Sequence, residues 1–325
     1  MYCKKICAYE PGKVKLIEVE LGEIKDDEVL VKTLFSTISP GTELAWINHM
    51  ENTPGQYPYY PGYSCSGRIE KIGKEVQDFS IGDRVVANVP HCSYFIEKAE
   101  KCTKIPSCID SLEASAFRLA SISLQGIRKA DIQIGDAVAV LGLGAIGNLA
   151  AQIAHVAGAG KVVGFDFIES RRENAVSCGI KYCKENGNDP ENLNAFNVVV
   201  EATGNPKAVL TALHMAKPLG TVVLLGSTRG LVDGLNVYAD IHRKGIQVIG
   251  AHEMHRAQSD RDCFGHFRSH KIDEQTIINL LAEKRIQLLP LINEVSAPEN
   301  AQVVYDRLAA RNSSLILVAF AFNEE

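Results

Sequence analysis

Residues 139–147, AVLGLGAIG, place Gly142, Gly144 and Gly147 in the spacing G-x-G-x-x-G. The strand-like DAVAVLG runs into them. Out of them runs AIGNLAAQIAHVAGA, where Ile146, Leu149, Ala150, Ile153 and Ala157 share one helical face. A strand passing into a helix through such a turn is suited to hold a pyrophosphate. Gly142 permits the tight turn, Gly144 lets the backbone approach the phosphates, and Gly147 lets the helix pack closely on the strand. Ala145 and Ile146 complete the turn, and the first helical amides there present a partial positive charge. Asp166 ends the next strand, KVVGFD, where its carboxylate accepts hydrogen bonds from adenosine ribose hydroxyls. The same charge repels a 2′-phosphate, which favours NAD over NADP. Arg171 either flanks the adenine or is a plain surface arginine. EATGNP and LLGS end two further strands, bringing Ala202, Thr203, Gly204, Leu225 and Gly226 to the carboxyl edge of the same sheet.

The elements that position these residues change character near residue 120. Before it lie short strands and turns, such as KVKLIEVE, DEVLVKTLFSTIS, SCSGRIEKIG, DRVVANV and SYFIEKA, which predict an antiparallel barrel or curled sheet. After it, Val/Leu/Ile strands alternate with amphipathic helices. One helix starts near Glu169 and another spans about Lys207–Lys217, followed by the strands TVVLLGS and GIQVIGA. That alternation predicts a parallel sheet covered on both faces. The remainder is mixed: helix DEQTIINLLAEKR, strand LPLINEVS, helix PENAQVVYDRLAAR and strand SLILVAF.

Bulk composition narrows the function classes. The 325 residues are 46% hydrophobic and 22% charged with a formal charge of −5, and they contain no long basic run. Nucleic acid and anionic membrane are therefore poor partners. Ala137–Gly160, the most apolar stretch, is broken by Asn148, Gln152 and His155, and the first residues carry no secretory pattern. Nine cysteines form no CxxC pair, which argues for free thiols in a reducing cytoplasm and against a zinc ribbon.

The whole layout resembles the medium-chain, zinc-type alcohol and polyol dehydrogenases. SPGTE at 39–43 is similar to that family's cysteine-glycine-threonine-aspartate stretch. PGYSCSGRIEKIGKEVQDFSIGDRVV is similar to its glycine-histidine-glutamate segment and the following Gly-Asp-Arg-Val turn. GDAVAVLGLGAIGNLAAQIAHVAGAGKVVGFD is similar to its nucleotide motif. The resemblance implies an α/β protein with two domains. Residues 1–122 and 254–325 would form a GroES-like β-barrel substrate domain, and 123–253 a Rossmann NAD-binding domain. It also implies oxidation of a secondary alcohol on a small-molecule substrate, and homodimers or tetramers paired through the Rossmann sheet edge.

The metal positions depart from the pattern. Pro40 stands at the family's first zinc-binding cysteine, Tyr63 at its histidine, Ser64 at the neighbouring glutamate, and Ser121 near the ligand at the domain junction. Proline has no donor side chain, and neutral hydroxyls bind zinc poorly beside thiolate or imidazole. The chain therefore resembles a zinc-free branch, with no metal site expected. Without a metal, hydroxyl and acid–base groups must handle the substrate oxygen and its proton. The resemblance makes Thr42 the hydroxyl that passes the proton. Tyr63 offers a phenol or simply fills vacated space. Glu43 orients Thr42, acts as a base, or is an inert turn residue, and His91 either reaches the cleft or sits at a surface turn tip. His252 and His255 follow the last Rossmann strand as possible substrate contacts, while His266 and His270 are spaced like neighbours on a helix.

Three functions compete on this reading. The first is an NAD-dependent dehydrogenase of a sugar, polyol or cyclitol-like alcohol. The second is a zinc-free quinone or enoyl reductase, which the full glycine triplet with Asp166 disfavours. The third is a non-catalytic dinucleotide-binding protein.

Overall fold

The turn at Pro11-Gly12 folds Tyr2–Glu10 (β1) onto Lys13–Glu20 (β2) as an antiparallel pair. Next come Glu28–Thr37 (β3), the helix Pro40–Ile47 (α1), Cys65–Ile72 (β4), Arg84–Ala87 (β5), Tyr94–Lys98 (β6), Thr103–Lys104 (β7) and Ser111–Ala114 (α2). This computed structural model describes residues 1–325 except 52, 54, 258, 264, 311–314 and 323–325.

The helix Phe117–Ala130 (α3) leads into an alternating run: Ala137–Leu141 (β8), Ala145–Val156 (α4), Lys161–Phe165 (β9), Glu169–Ser177 (α5), Tyr182–Lys184 (β10), Phe196–Glu201 (β11), Pro206–Met215 (α6), Ala216–Leu224 (β12) and Gln247–Gly250 (β13). The chain closes with His270–Ala282 (α7), Ile292–Ser296 (β14), Ala301–Ala309 (α8) and Leu317–Ala321 (β15). Arg311 and Ser314, which the sequence assigns to the last helix and strand, lie outside the described residues.

Contacts group the chain into two units. Unit 1 is Met1–Arg118 with Glu274–Glu325, and unit 2 is Leu119–Asp273, so the boundaries fall inside α3 and α7. In unit 1 a seven-stranded sheet runs β14-β15-β3-β4-β5-β7, with β6 also paired to β3. β3 is its centre: it meets β4, β6 and β15 antiparallel, with Ser36 opposite Phe320. Ile6, Ile38, Ile47, Val304 and Phe320 pack into one core here, so α1 and α8 are held against the same apolar layer. These features are those of a GroES-like domain.

Unit 2 is a six-stranded, all-parallel sheet in the order β10-β9-β8-β11-β12-β13. Val198, Val199, Val200, Val222 and Val223 are buried, as expected of central strands covered on both faces. The chain steps outward in one direction from β8 and in the other from β11. Ligands of open α/β sheets lie at the carboxyl ends of strands beside such a reversal, and those ends carry Gly142 and Ala202. This is the Rossmann arrangement.

Several elements differ from the sequence expectation, among them α3, where no helix is expected from the sequence. Pro40-Gly41 opens a helix where the dipeptide suggests a turn, because proline is well suited to a first helical position. α6 stops at Met215, and Ala216 already belongs to β12.

Candidate functional site

In unit 2 the glycine turn has the shape that its sequence requires. Gly142 has φ +88°, and a Cβ there would come within 2.8 Å of the Thr203 Cγ2. A Cβ on Gly147 would stand 1.7 Å from the Gly142 carbonyl oxygen, so this glycine fixes how closely α4 approaches β8. Gly144 differs: the nearest atom to a Cβ there is Arg171 Nη1, at 4.0 Å. Gly144 is also the N-cap of the twelve-residue α4 and brings no side-chain acceptor to the first amides. The position of a side chain at Gly144 is thus open.

Asp166 stands beside that space, buried and oriented. Its Oδ2 accepts the Leu143 N–H at 2.8 Å and its Oδ1 the Ile168 N–H at 2.9 Å. Arg171 Nη1 lies 3.6 Å from Oδ2, while Arg172 donates to the Asp166 carbonyl at 2.7 Å. Arg171 Nε is buried with no partner, so this arginine retains a donor.

The turns after β11 and β12 close on the same glycines. A Cβ on Gly226 would reach within 2.4 Å of the Gly204 N, so these turns touch backbone to backbone. Glu201, at the end of β11, holds the middle turn. Its Oε1 accepts the Thr203 N–H at 2.6 Å, the Gly204 N–H at 3.1 Å and the Thr203 hydroxyl, while Oε2 is buried with no partner. Burial pushes the Glu201 carboxyl above its ordinary value, and the three donors oppose that push. The structure therefore gathers Gly142, Gly144, Ala145, Ile146, Gly147, Asp166, Arg171, Ala202, Thr203, Gly204, Leu225 and Gly226 around the strand ends. A clear helix start, an oriented carboxylate and orphaned buried polar atoms fit a dinucleotide. Glu201 is the member that sequence reasoning missed, since an acid ending an apolar strand carries no motif.

Unit 1 holds the other candidates. Thr42 lies half-buried in the first turn of α1, and Tyr63 is half-buried. Glu43 and His91 have no exposed surface at all. His91 is not at an exposed turn tip, because its carbonyl accepts the Ile6 N–H at 3.0 Å and Cys92 bridges to Lys5, which draws the segment under β1. His91 Nε2 donates to Glu43 Oε2 at 2.9 Å, and its Nδ1 lies 2.6 Å from the Ser36 hydroxyl oxygen. Tyr305 donates its phenol to the same Glu43 oxygen at 2.5 Å. Burial and the Glu43 charge raise the Tyr305 phenol well above its usual value, which keeps it a donor. Tyr59 is raised by burial, then by Glu43 and Tyr63, so its phenol also stays protonated.

The positions that match zinc ligands in the resembling family do not make a donor set. Pro40 opens α1, and Ser64 is committed, donating to the Ser115 carbonyl at 2.6 Å and accepting the Arg118 N–H at 3.3 Å. Ser121 is a lone buried hydroxyl in unit 2. Among the described residues, no three His, Cys, Asp or Glu side chains are grouped to hold a metal ion. His266 lies in a turn ahead of α7, while His270 opens that helix, so the two are not neighbours on one helix face. Met254 N–H donates to His252 Nδ1 at 3.2 Å, and the His252 and His255 rings lie 6.3 Å apart.

Comparison with known proteins agrees with both units. Residues 25–141 match the family described as alcohol dehydrogenase GroES-like domain, and residues 145–264 the family described as zinc-binding dehydrogenase. A D-guloside 3-dehydrogenase of Escherichia coli (strain K12) is 24% identical over 94% of this chain and 96% of its own. A 2-methylene-furan-3-one reductase of Solanum lycopersicum is 28% identical over 66% of this chain and 60% of its own. The crystal structure of galactitol-1-phosphate dehydrogenase from Escherichia coli superposes with a TM-score of 0.79 at 23% identity, covering 98% of this chain and 99% of that one.

Proposed function

This chain belongs to the medium-chain dehydrogenase/reductase superfamily of alcohol and polyol dehydrogenases, and from that premise we propose that it interconverts a secondary alcohol and a ketone on a sugar, polyol or cyclitol-like substrate with NAD(H). The observation that carries the cofactor reading is the unobstructed start of α4 at Gly144, with the Asp166 carboxylate fixed beside it. The substrate class is supported by the names of the similar proteins, sugar and polyol dehydrogenases among them.

A bound nicotinamide ring supplies the hydride acceptor for alcohol oxidation. The chain's own residues provide the rest. Gly144 and the first amides of α4 receive the pyrophosphate, and Asp166 accepts the ribose hydroxyls and repels a 2′-phosphate. As hydride leaves the carbinol carbon, the hydroxyl must give up its proton; Thr42 would accept it while passing its own hydroxyl proton on to solvent water, with Tyr63 as a second hydroxyl on the substrate oxygen. We assign no step to zinc, because the residues at the matching positions are a proline and committed or neutral hydroxyls.

The experiment is a screen of NAD reduction over polyols and sugars, with metal analysis of the same preparation. Turnover with substoichiometric zinc is expected. Thr42→Val and Tyr63→Phe should each lower kcat by about a hundredfold. Unchanged rates remove these hydroxyls from the mechanism, and stoichiometric zinc overturns the metal-free reading.

A second reading, an enone or quinone reductase, is favoured by the similarity to the furanone reductase. NADPH oxidation by an enone that outpaces every polyol would select it.

We further propose a homodimer through β13. Its Val248 is 40% exposed and its outer edge meets no strand among the described residues. Light scattering should give twice the mass of one chain; a monomer at micromolar concentration rejects the pairing.

A further inference from the structure

Four side chains with hydroxyl, imidazole or carboxylate groups meet inside unit 1 with almost no exposed surface, and they come from four stretches of chain. They are Ser36 on β3, Glu43 on α1, His91 between β5 and β6, and Tyr305 on α8. A buried carboxylate must be fully hydrogen-bonded, and Glu43 is. Its Oε1 accepts the Ser39 N–H at 2.7 Å, and its Oε2 accepts both His91 and Tyr305. Phe320 packs its ring edge-on to His91 at 5.2 Å, closing the group against the core.

What this group holds is a helix that has little to hold itself. α1 is eight residues long and begins Pro40-Gly41, and the side chain of its N-cap, Ser39, makes no capping bond. A helix this short is marginal alone. Glu43 reaches back to the Ser39 N–H ahead of the helix and ties the same turn to His91 and Tyr305. The residue preceding Glu43 in that turn is Thr42.

The geometry points to Glu43 as a positioning residue for Thr42, with Tyr305, His91 and Ser36 as the frame that fixes it. The assignment rests on reading Thr42 as the proton-handling hydroxyl. Glu43 itself, having no exposed surface, touches no substrate. Its carboxylate sets the angle and depth of the first turn of α1, hence where the Thr42 hydroxyl stands.

Rates with the best alcohol of the polyol screen test this through pairs of variants. Glu43→Gln should lower kcat by about thirtyfold, since a displacement of an ångström at a reacting centre has effects of that order. Tyr305→Phe, which removes one donor and keeps the ring, should lower it by about fivefold. The deciding readout is the combination with Thr42→Val. If Glu43 and Tyr305 act through Thr42, each double variant is no slower than Thr42→Val alone, and the Kd for NADH stays at the parent value throughout. Rates that fall by the product of the single effects overturn the inference. So would an unchanged rate in Tyr305→Phe, the arm that decides if Glu43→Gln fails to fold. A silent Thr42→Val, or no turnover of any alcohol, instead sinks the functional reading beneath it.

Discussion

Replacing Gly144 by alanine should lower the Tm by no more than about 4 °C while weakening NADH binding by about tenfold or more. The backbone there, φ −63° and ψ −176°, suits any residue, and the added methyl meets no protein atom closer than 4.0 Å. Alanine is a poorer N-cap than glycine by about 1 kcal/mol, which sets the small loss of stability. The methyl would occupy the space through which the phosphates approach the first amides of α4. Loss of a single charge-assisted hydrogen bond, about 1.5–3 kcal/mol, already yields the stated affinity change. Gly147→Ala is the control of opposite kind. Its Cβ would sit 1.7 Å from the Gly142 carbonyl oxygen and 2.9 Å from that carbon, so backbone must move. Overpacking of this kind costs about 3 kcal/mol, or a Tm lower by about 6–12 °C, with binding lost as a by-product. Calorimetric melts and NADH titrations on both variants separate the two roles. An unaffected NADH affinity in the Gly144 variant would move the pyrophosphate away from this turn.

Asp166→Asn should reduce the kcat/KM for NAD by about 10–100-fold and raise that for NADP, since hydrogen bonds to a charged acceptor are worth about 1.5–3 kcal/mol. Asparagine is the informative replacement because its amide oxygen can still accept one of the N–H groups of Leu143 and Ile168 that now meet the carboxylate. The change removes the negative charge that opposes a 2′-phosphate. It also releases Arg171, 3.6 Å from that carboxylate, whose Nε has no partner. An arginine fork is well suited to phosphate, so the variant gains an attraction as well as losing a repulsion. A parent enzyme that already prefers NADP, or a variant with unchanged preference, would contradict the role given to Asp166.

The parts legible in the sequence are those whose cause is local. β8, the glycine turn, α4 and Asp166 follow one another within Ala137–Asp166, so their pattern is contained in one short stretch of sequence. The alternation that follows makes the parallel sheet readable for the same reason. The frame around Glu43 is the opposite case. Tyr305 lies 262 positions from its partner and shares a face of α8 with Val304 and Leu308, so its spacing marks it as ordinary core. Ser36 sits in a strand whose pattern reports burial but says nothing of an imidazole 55 positions away. His91 reads as a turn residue until the Ile6 N–H takes its carbonyl. Pairings between distant segments leave no period or spacing to detect.

The pairing of Phe35, Ser36 and Thr37 with Ala321, Phe320 and Ala319 carries a consequence for biosynthesis. Leu119–Asp273 is one uninterrupted stretch, so it can collapse on itself as it leaves the ribosome. The earlier strands cannot. Until β15 and α8 have been translated, the β3 margin lacks its neighbour and the Glu43 carboxylate lacks its phenol donor. The nascent amino-terminal segment must therefore wait, incompletely paired and open to chaperones, for a strand made much later to lock it.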